Sequence, residues 1–370
     1  MEHYLDNAST TKMCTEAIEQ ANFIMNEVYG NPSSTHTLGR KAKEYLENYR
    51  KDISSVLYCK ENELYFTSCG TESDNWAIKS SAILKKREGK HIISSLVEHD
   101  AVRESLNFLE NNGYEITRLK PDSTGRVSVD DVKNNLRDDT ILVSLMMVNN
   151  ETGAVNDIKG ISEVVKDYNS NILVHTDAVQ GFKKINFKAK SLGADMISIS
   201  AHKIHAMKGI GALYISEKVK LPVFMNGGHQ EREKRAGTEA LVQIASFAAA
   251  CKIDPEIEKI KELKNLLVKK LNETLPEVQI VKTDAPHILS ISLPKYKSEV
   301  LMNFLEEREI YVSKSSACRV GKRSHVLEAM NLSNEIIDGS IRIGLSRYNN
   351  LSDIDALVNG LVDAKKLIHS

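Results

Sequence analysis

Between about residue 50 and residue 215 the chain alternates short apolar runs with longer amphipathic stretches, and that alternation leaves few folds open. The runs are "ELYFTS", "HIISSL", "EITRLK", "TILVSLMMV", "ILVHTDA", "DMISIS" and "GALYIS". Short apolar segments separated by helix-length polar ones predict an α/β domain with a mostly parallel sheet. In such a sheet ligands bind beyond the carboxyl ends of the strands. A smaller α/β unit is predicted after "ASFAAACK": helices at "EIEKIKELKNLLVKKLNETL", "SEVLMNFLEERE" and "SDIDALVNGLVDAKKLI", with strands at "VQIVK", "HILSISL" and "SIRIGL". The first few residues are free to pack with either unit.

Charge and cysteine usage narrow the function. A formal net charge of -1 gives no global field for nucleic acid or an anionic membrane, so any basic site is local. The five cysteines are widely spaced and lack the paired C-x-x-C pattern of zinc sites and redox dithiols. That usage fits a reducing cytoplasm. "MEHYLDNASTT" has neither a basic start nor an apolar signal core, and no apolar run nears the ~20 residues that span a bilayer, so a cytoplasmic protein is expected.

Chemistry-bearing residues gather where the predicted strands end. In "ISISAHKIHAMKGIGALYIS" two short strands flank a turn that carries His202 and Lys203. In "LYFTSCGTESDNWAIKSSA" a strand leads through Ser68, Cys69, Gly70 and Thr71 into a helix, a geometry whose backbone N–H groups converge on an anion such as phosphate. The alternative is a Thr-capped helix with Glu72 and Asp74 offsetting its dipole. Asp177, at the end of "ILVHTDAVQ", is placed either to keep a pyridinium nitrogen protonated or to cap the next turn. His99 is a ring stacker, a proton relay or a structural hydrogen-bonder. Asn149 and Asn150 offer amides to a phenolic oxygen, or serve as turn residues. Together these supply a phosphate nest, an acid for a ring nitrogen, a stacking imidazole and an amine, which is the requirement of pyridoxal phosphate. Lys203 is then the Schiff-base lysine, with Ser200 and His202 near the phosphate, and with His205 and Lys208, if cationic, favouring its neutral amine.

With those residues in place, the sequence resembles the class V aminotransferase superfamily, and within it the group I cysteine desulfurases of the nitrogen-fixation and iron–sulfur-cluster type. The resemblance covers nearly the whole chain through "YLDNASTT", "GNPSSTH", "TSCGTESDNWAIK", "EHDAV", "VNNETG", "HTDAVQ", "SAHKIHAMKGIGALY", "GGHQEREKRAGT", "SSAC" and "SIRIGLSR". It implies a fold type I pyridoxal 5'-phosphate-dependent transferase, with a seven-stranded large domain over residues 15–250 and a small domain made of 1–14 and 251–370. It also implies that Lys203 bonds the cofactor, Asp177 pairs with the ring nitrogen, His99 stacks, and Asn150 and Gln180 approach the phenolic oxygen. Gly70, Thr71, Ser200 and His202 would bind phosphate, and Thr238 would reach the phosphate of a partner subunit in a homodimer.

Two further residues separate a desulfurase from a plain aminotransferase. Arg342 lies on the polar side of "SIRIGLS", opposite Ile341, Ile343 and Leu345, where its guanidinium can grip a substrate carboxylate with help from Asn150; the alternative is a surface arginine on an edge strand. Cys318 sits among Lys314, Arg319, Lys322 and Arg323, a setting expected to form a mobile loop and to favour the thiolate. The expected reaction converts L-cysteine to L-alanine: Lys203 or His99 moves the α-proton, Cys318 attacks the substrate sulfur and keeps it as a persulfide, and a sulfur-acceptor protein of an iron–sulfur or tRNA-thiolation pathway takes it on. No direct nucleic-acid partner, membrane or metal is expected. The rival readings are a selenocysteine lyase or another lyase of the same superfamily, and a non-catalytic binding protein on this fold. The chain departs from the family pattern at Ser315, Ala201, His205-Ala206-Met207 and Glu233; none of these removes a reacting group.

Overall fold

The computed structural model describes residues 2–281, 283–315 and 323–368. A two-residue strand β1 (His3–Tyr4) opens the chain. All seven expected runs then become strands: β2 (Leu64–Thr67), β3 (His91–Ser95), β4 (Glu115–Leu119), β5 (Thr140–Ser144), β6 (Leu173–Asp177), β7 (Met196–Ser200) and β8 (Gly211–Ile215). They form one sheet in the order β2-β8-β7-β6-β5-β3-β4. β8 runs antiparallel to both its neighbours, and the other pairs are parallel. The chain therefore builds outward from β3 to β4, returns to the other side of β3 with β5, and proceeds to β6 and β7. This reversal between β3 and β5 opens a crevice at the carboxyl ends of the strands, where an α/β sheet accommodates a ligand.

Helices on both faces explain why the central strands read as continuous apolar runs. β3, β5, β6, β7 and β8 are buried at every residue. Successive side chains alternate between two cores. Ile93, Val143, Val174 and Ile197 join one with Ile53, Ile161, Val165 and Phe247, while Ile92, Leu142, Leu173 and Met196 join the other with Trp76, Ile78, Val102 and Leu106. β4, at the edge, is only partly buried and exposes Glu115.

The second unit holds β9 (Gln279–Val281), β10 (Ile288–Ser292), β11 (Ile310–Tyr311), β12 (Ser313–Lys314) and β13 (Ser340–Gly344). Its antiparallel sheet has the order β12-β13-β10-β9, so β13 is an inner strand rather than an edge. Helices Ile257–Thr274 and Leu351–Leu367 cover it, each burying residues at helical spacing, such as Ile260, Leu263, Leu267 and Leu271 on the first. The amino terminus packs with this unit: β1 pairs in parallel with β11, and Leu5 enters the same core. Residues 6–8 then cross Gly344 so closely that a Cβ there would lie 2.4 Å from the Ala8 nitrogen. Only glycine admits that crossing, and it delivers Ala8 and Ser9 to the crevice.

Opposite β2, a buried ion pair pins the segment that follows β8. The Arg50 guanidinium donates to both Glu231 carboxylate oxygens at 2.7 and 2.9 Å, and the Phe66 N–H donates to Glu231 at 2.8 Å. Arg50 and Glu231 are 3% and 5% exposed, so removing one partner strands a charge away from water. Glu231→Ala is expected to destabilise the fold by about 3–5 kcal/mol, read as a lower urea midpoint. A midpoint equal to the parent's would show that the pair is dispensable.

Candidate active site

The strand ends enclose a cavity of about 380 Å³, within the ~300–1,000 Å³ range of small-molecule sites. Lys203, His99, Gly70, Thr71, Asn150, Asp177, Gln180, Ser200, His202 and Arg342 all line it. Thr238 does not. It is exposed and borders a separate hollow with Ser68 and Arg235. Cys318 lies outside the described residues.

One end of the cavity is suited to an anion. Helix Gly70–Leu84 begins at Cys69 without a side-chain cap, so the Thr-capped alternative does not apply. A Cβ on Gly70 would approach Val179 Cγ2 to 2.7 Å, so the turn needs glycine there. The Ser200 hydroxyl is buried with no hydrogen-bond partner among the described residues. Of the two acids expected to offset the dipole, Glu72 does so, pairing with Arg235 at 2.7 Å and accepting from the Ser68 N–H. Asp74 instead turns inward, fully buried, and its protonation is favoured by burial and then by the nearby Asp177 charge.

The centre carries the amine and the acid. The Lys203 ammonium donates to the Ala8 and Ser9 carbonyls at 2.8 and 2.6 Å. Asp177 accepts from the Val179 N–H at 2.8 Å, so it does make the turn contact while still facing the cavity. Burial pushes its protonation upward, opposed by the positive potential of His99 and Lys203. His99 also has two roles: its Nδ1 caps helix Asp100–Glu110 by accepting from the Ala101 N–H at 3.1 Å, which leaves the proton on Nε2. The His202 ring contacts Thr10 Oγ1 at 3.1 Å, and its pKa is lowered to about 4 by burial and then by Lys203 and Lys208.

His205 would favour the neutral Lys203 amine only if cationic, and that condition fails: burial, with Lys184 next, lowers its pKa to about 4, so it is neutral at physiological pH. Its ring meets the Lys12 carbonyl at 2.9 Å and packs edge-on to Tyr348. Asn149 and Asn150 also divide. Asn149 is turn chemistry, its amide oxygen accepting from the Glu151 and Thr152 N–H groups, whereas Asn150 lines the cavity. Gln180 lines it while donating to the Ala8 carbonyl and contacting His287.

Arg342 is 2% exposed, so it is not a surface arginine. Its guanidinium donates to the Asn150 carbonyl, Asp6 and Ser9 Oγ at 2.9, 2.9 and 2.5 Å. Several lining residues gave no separate signal in the sequence: Ala8, Ser9, Glu98, Glu151 and His325. Glu98 accepts from the Met146 N–H and Ser95 hydroxyl, and burial raises its pKa to about 8. Glu151 accepts from the Ser324 hydroxyl, and burial raises its pKa to about 7 against the pull of that bond and of Arg342.

Comparison with known proteins places this arrangement in a family. A model for the class-V aminotransferases matches residues 3–357. The cysteine desulfurase IscS of Methanosarcina thermophila is 39% identical over 369 residues, covering 96% of this chain and 90% of its own. A solved NifS-like protein superposes with a TM-score of 0.94 at 34% identity over the whole of both chains. SspA, solved in complex with cysteine, superposes with a TM-score of 0.84 at 29% identity, covering 95% of this chain and all of its own.

Glu151 gives a pH test of this site. A native carboxyl that keeps its proton to about 7 binds a proton that the unfolded chain releases near 4.5, so its contribution to stability falls as pH rises between those values. Glu151→Gln mimics the protonated acid and removes this loss. The parent and variant stability curves should separate from about pH 4.5 upward, with the variant gaining up to roughly 3 kcal/mol by neutral pH. Parallel curves would mean that Glu151 is ionised in the native state.

Proposed function

The chain belongs to the class-V aminotransferase family as one of its cysteine desulfurases, and from that premise we propose that its cavity holds pyridoxal 5'-phosphate, acts on L-cysteine to release L-alanine, and passes the sulfur to Cys318 and then to an acceptor protein. The observation that carries this reading is the pairing of opposite unmet needs across one cavity. The buried, unbonded Ser200 hydroxyl and the uncapped helix start at Gly70 call for an anion. The buried Asp177 carboxylate calls for a cation. A phosphate and a protonated ring nitrogen supply them.

Gly70, Thr71, Ser200 and His202 would hold the phosphate, Asp177 would hold the ring-nitrogen proton, and Lys203 Nζ would bond the cofactor covalently. When bound, the cofactor supplies an electron sink for charge developing next to the substrate carboxylate. His99, its Nδ1 held by the Ala101 N–H, presents its ring for stacking. Lys203 or His99 moves the α-proton. Arg342 Nε is buried without a hydrogen-bond partner among the described residues, so its N–H would donate to the substrate carboxylate. Cys318 takes the sulfur as a persulfide. We further propose a cytoplasmic homodimer in which exposed Thr238 reaches the partner's phosphate; its place beside Ser68 and Arg235, outside the main cavity, supports that reading.

The deciding experiment is mass spectrometry of the protein after incubation with L-cysteine. One added sulfur on the peptide containing Cys318, absent from Cys318→Ser together with nearly all alanine release, is expected. Alanine formed at the parent rate by Cys318→Ser would make the protein a lyase, as the selenocysteine lyase alternative requires.

A second prediction follows from the geometry of Arg342. Because it also clamps Asp6 and Ser9, Arg342→Lys tests its grip more cleanly than truncation does. Lysine keeps the charge but loses the planar fork. The KM for cysteine is expected to rise about tenfold or more, with Lys203 still trapped by borohydride. An unchanged KM would remove Arg342 from substrate binding.

A further inference from the structure

His325 is the first residue of helix His325–Ala329, whose cap Ser324 donates to Glu151. Its ring forms part of the cavity wall. Nε2 lies 3.2 Å from the Glu98 backbone carbonyl, and since a carbonyl only accepts, the proton resides on Nε2 and Nδ1 carries a lone pair. Nδ1 is buried and has no hydrogen-bond partner among the described residues. An acceptor left unmet at a cavity wall is costly unless a ligand donates to it. Burial, then the charge of Arg103, lowers the pKa of the ring, so it stays neutral.

On the cysteine desulfurase reading above, the substrate carboxylate repels a lone pair and the amine is committed to the cofactor. The remaining donor is the thiol. We infer that His325 Nδ1 accepts the hydrogen bond of the substrate S–H and takes its proton during sulfur transfer. As the Cys318 thiolate bonds to the substrate sulfur, the Cβ–S bond breaks and leaves its electron pair on the carbon fragment. The thiol proton passes to Nδ1, so Cys318 ends as a persulfide anion and His325 as an imidazolium. His325 is thereby a catalytic residue selective for a thiol-bearing substrate, a role distinct from the α-proton transfer given to Lys203 or His99.

The test uses the holoenzyme and His325→Gln, whose amide nitrogen can occupy the place of Nε2 and keep the Glu98 contact while removing the Nδ1 lone pair. Alanine formation from L-cysteine is expected to fall about 100-fold, in the range of a lost general base. Binding of L-alanine, which has no thiol, read from the cofactor absorbance, should stay within about twofold. Turnover of L-selenocysteine should be spared, because its selenol is already ionised at neutral pH and has no proton to give. His325→Asn, also without a titratable base, should behave alike if the glutamine variant folds poorly. Equal losses with cysteine and selenocysteine, or weakened alanine binding in step with turnover, would overturn the inference by making the role structural. A parent enzyme that released no alanine from cysteine would instead overturn the functional reading on which it rests.

Discussion

A guanidinium buried between two sheets organises this molecule. Arg342 projects from the inner strand β13, yet each of its contacts belongs to another part of the chain: the Asn150 carbonyl beyond β5, and Asp6 and Ser9 of the amino-terminal crossing. An arginine at this depth is tolerated only with a close counter-charge. Asp6 provides that charge at 2.9 Å, and the same crossing carries Ala8 and Ser9 to the Lys203 ammonium. Arg342 and Lys203 are thus positioned by one short stretch of backbone, and the narrow passage over Gly344 makes its path nearly obligatory.

Around that arginine lie four buried acids, and their environments separate them. Burial raises the pKa of Glu98 to about 8 and of Glu151 to about 7, and pushes Asp74 in the same direction. Asp177 also feels burial, but His99 and Lys203 oppose it. With protonation favoured at its neighbours and opposed at its own carboxyl, Asp177 is the acid best placed to carry negative charge toward a ring nitrogen. A polar row behind it contributes without charge: Ser144, His175 and Ser198 bond in sequence at 2.8 and 3.0 Å, and burial holds His175 neutral with a pKa of about 3. The sheet interior therefore supplies dipoles rather than competing ions.

The legibility of this design in the sequence followed locality. The seven strands of the large sheet could be read because burial on both faces writes itself as uninterrupted apolar runs, and the residues just beyond those runs came with them. Arg342 was placed on the polar side of its strand but left between clamp and edge residue, because strand order is a long-range fact that no window of sequence contains. Glu98, Glu151 and His325 escaped for a related reason. A charged or polar residue in a loop looks solvated until the chain buries it. For His205, proximity in sequence to Lys203 left open a charge that burial removes. Asp74 and Glu72, two residues apart in one helical turn, met opposite fates according to which faced the sheet.

The departure at Glu233 shows how the fold accommodates an awkward residue. Glu231, Arg232 and Glu233 take φ values of 44°, 53° and 62°, three successive left-handed residues without a glycine. Each such conformation costs roughly 1–2 kcal/mol for a side-chain-bearing residue, so the turn forms only if its surroundings hold it. Glu231 is held by Arg50 and the Phe66 N–H, and Arg232 donates to the Leu64 and Glu61 carbonyls at 3.2 and 2.9 Å. Both anchors grip the strand β2 and the residues leading into it. The same strand continues into the Gly70 turn, and Arg235, four residues beyond Glu231, pairs with Glu72 in the helix that turn begins. Strain in the segment leading to Thr238 is therefore offset against the element that forms the Gly70 end of the cavity, which ties the placement of Thr238 to the geometry of that turn.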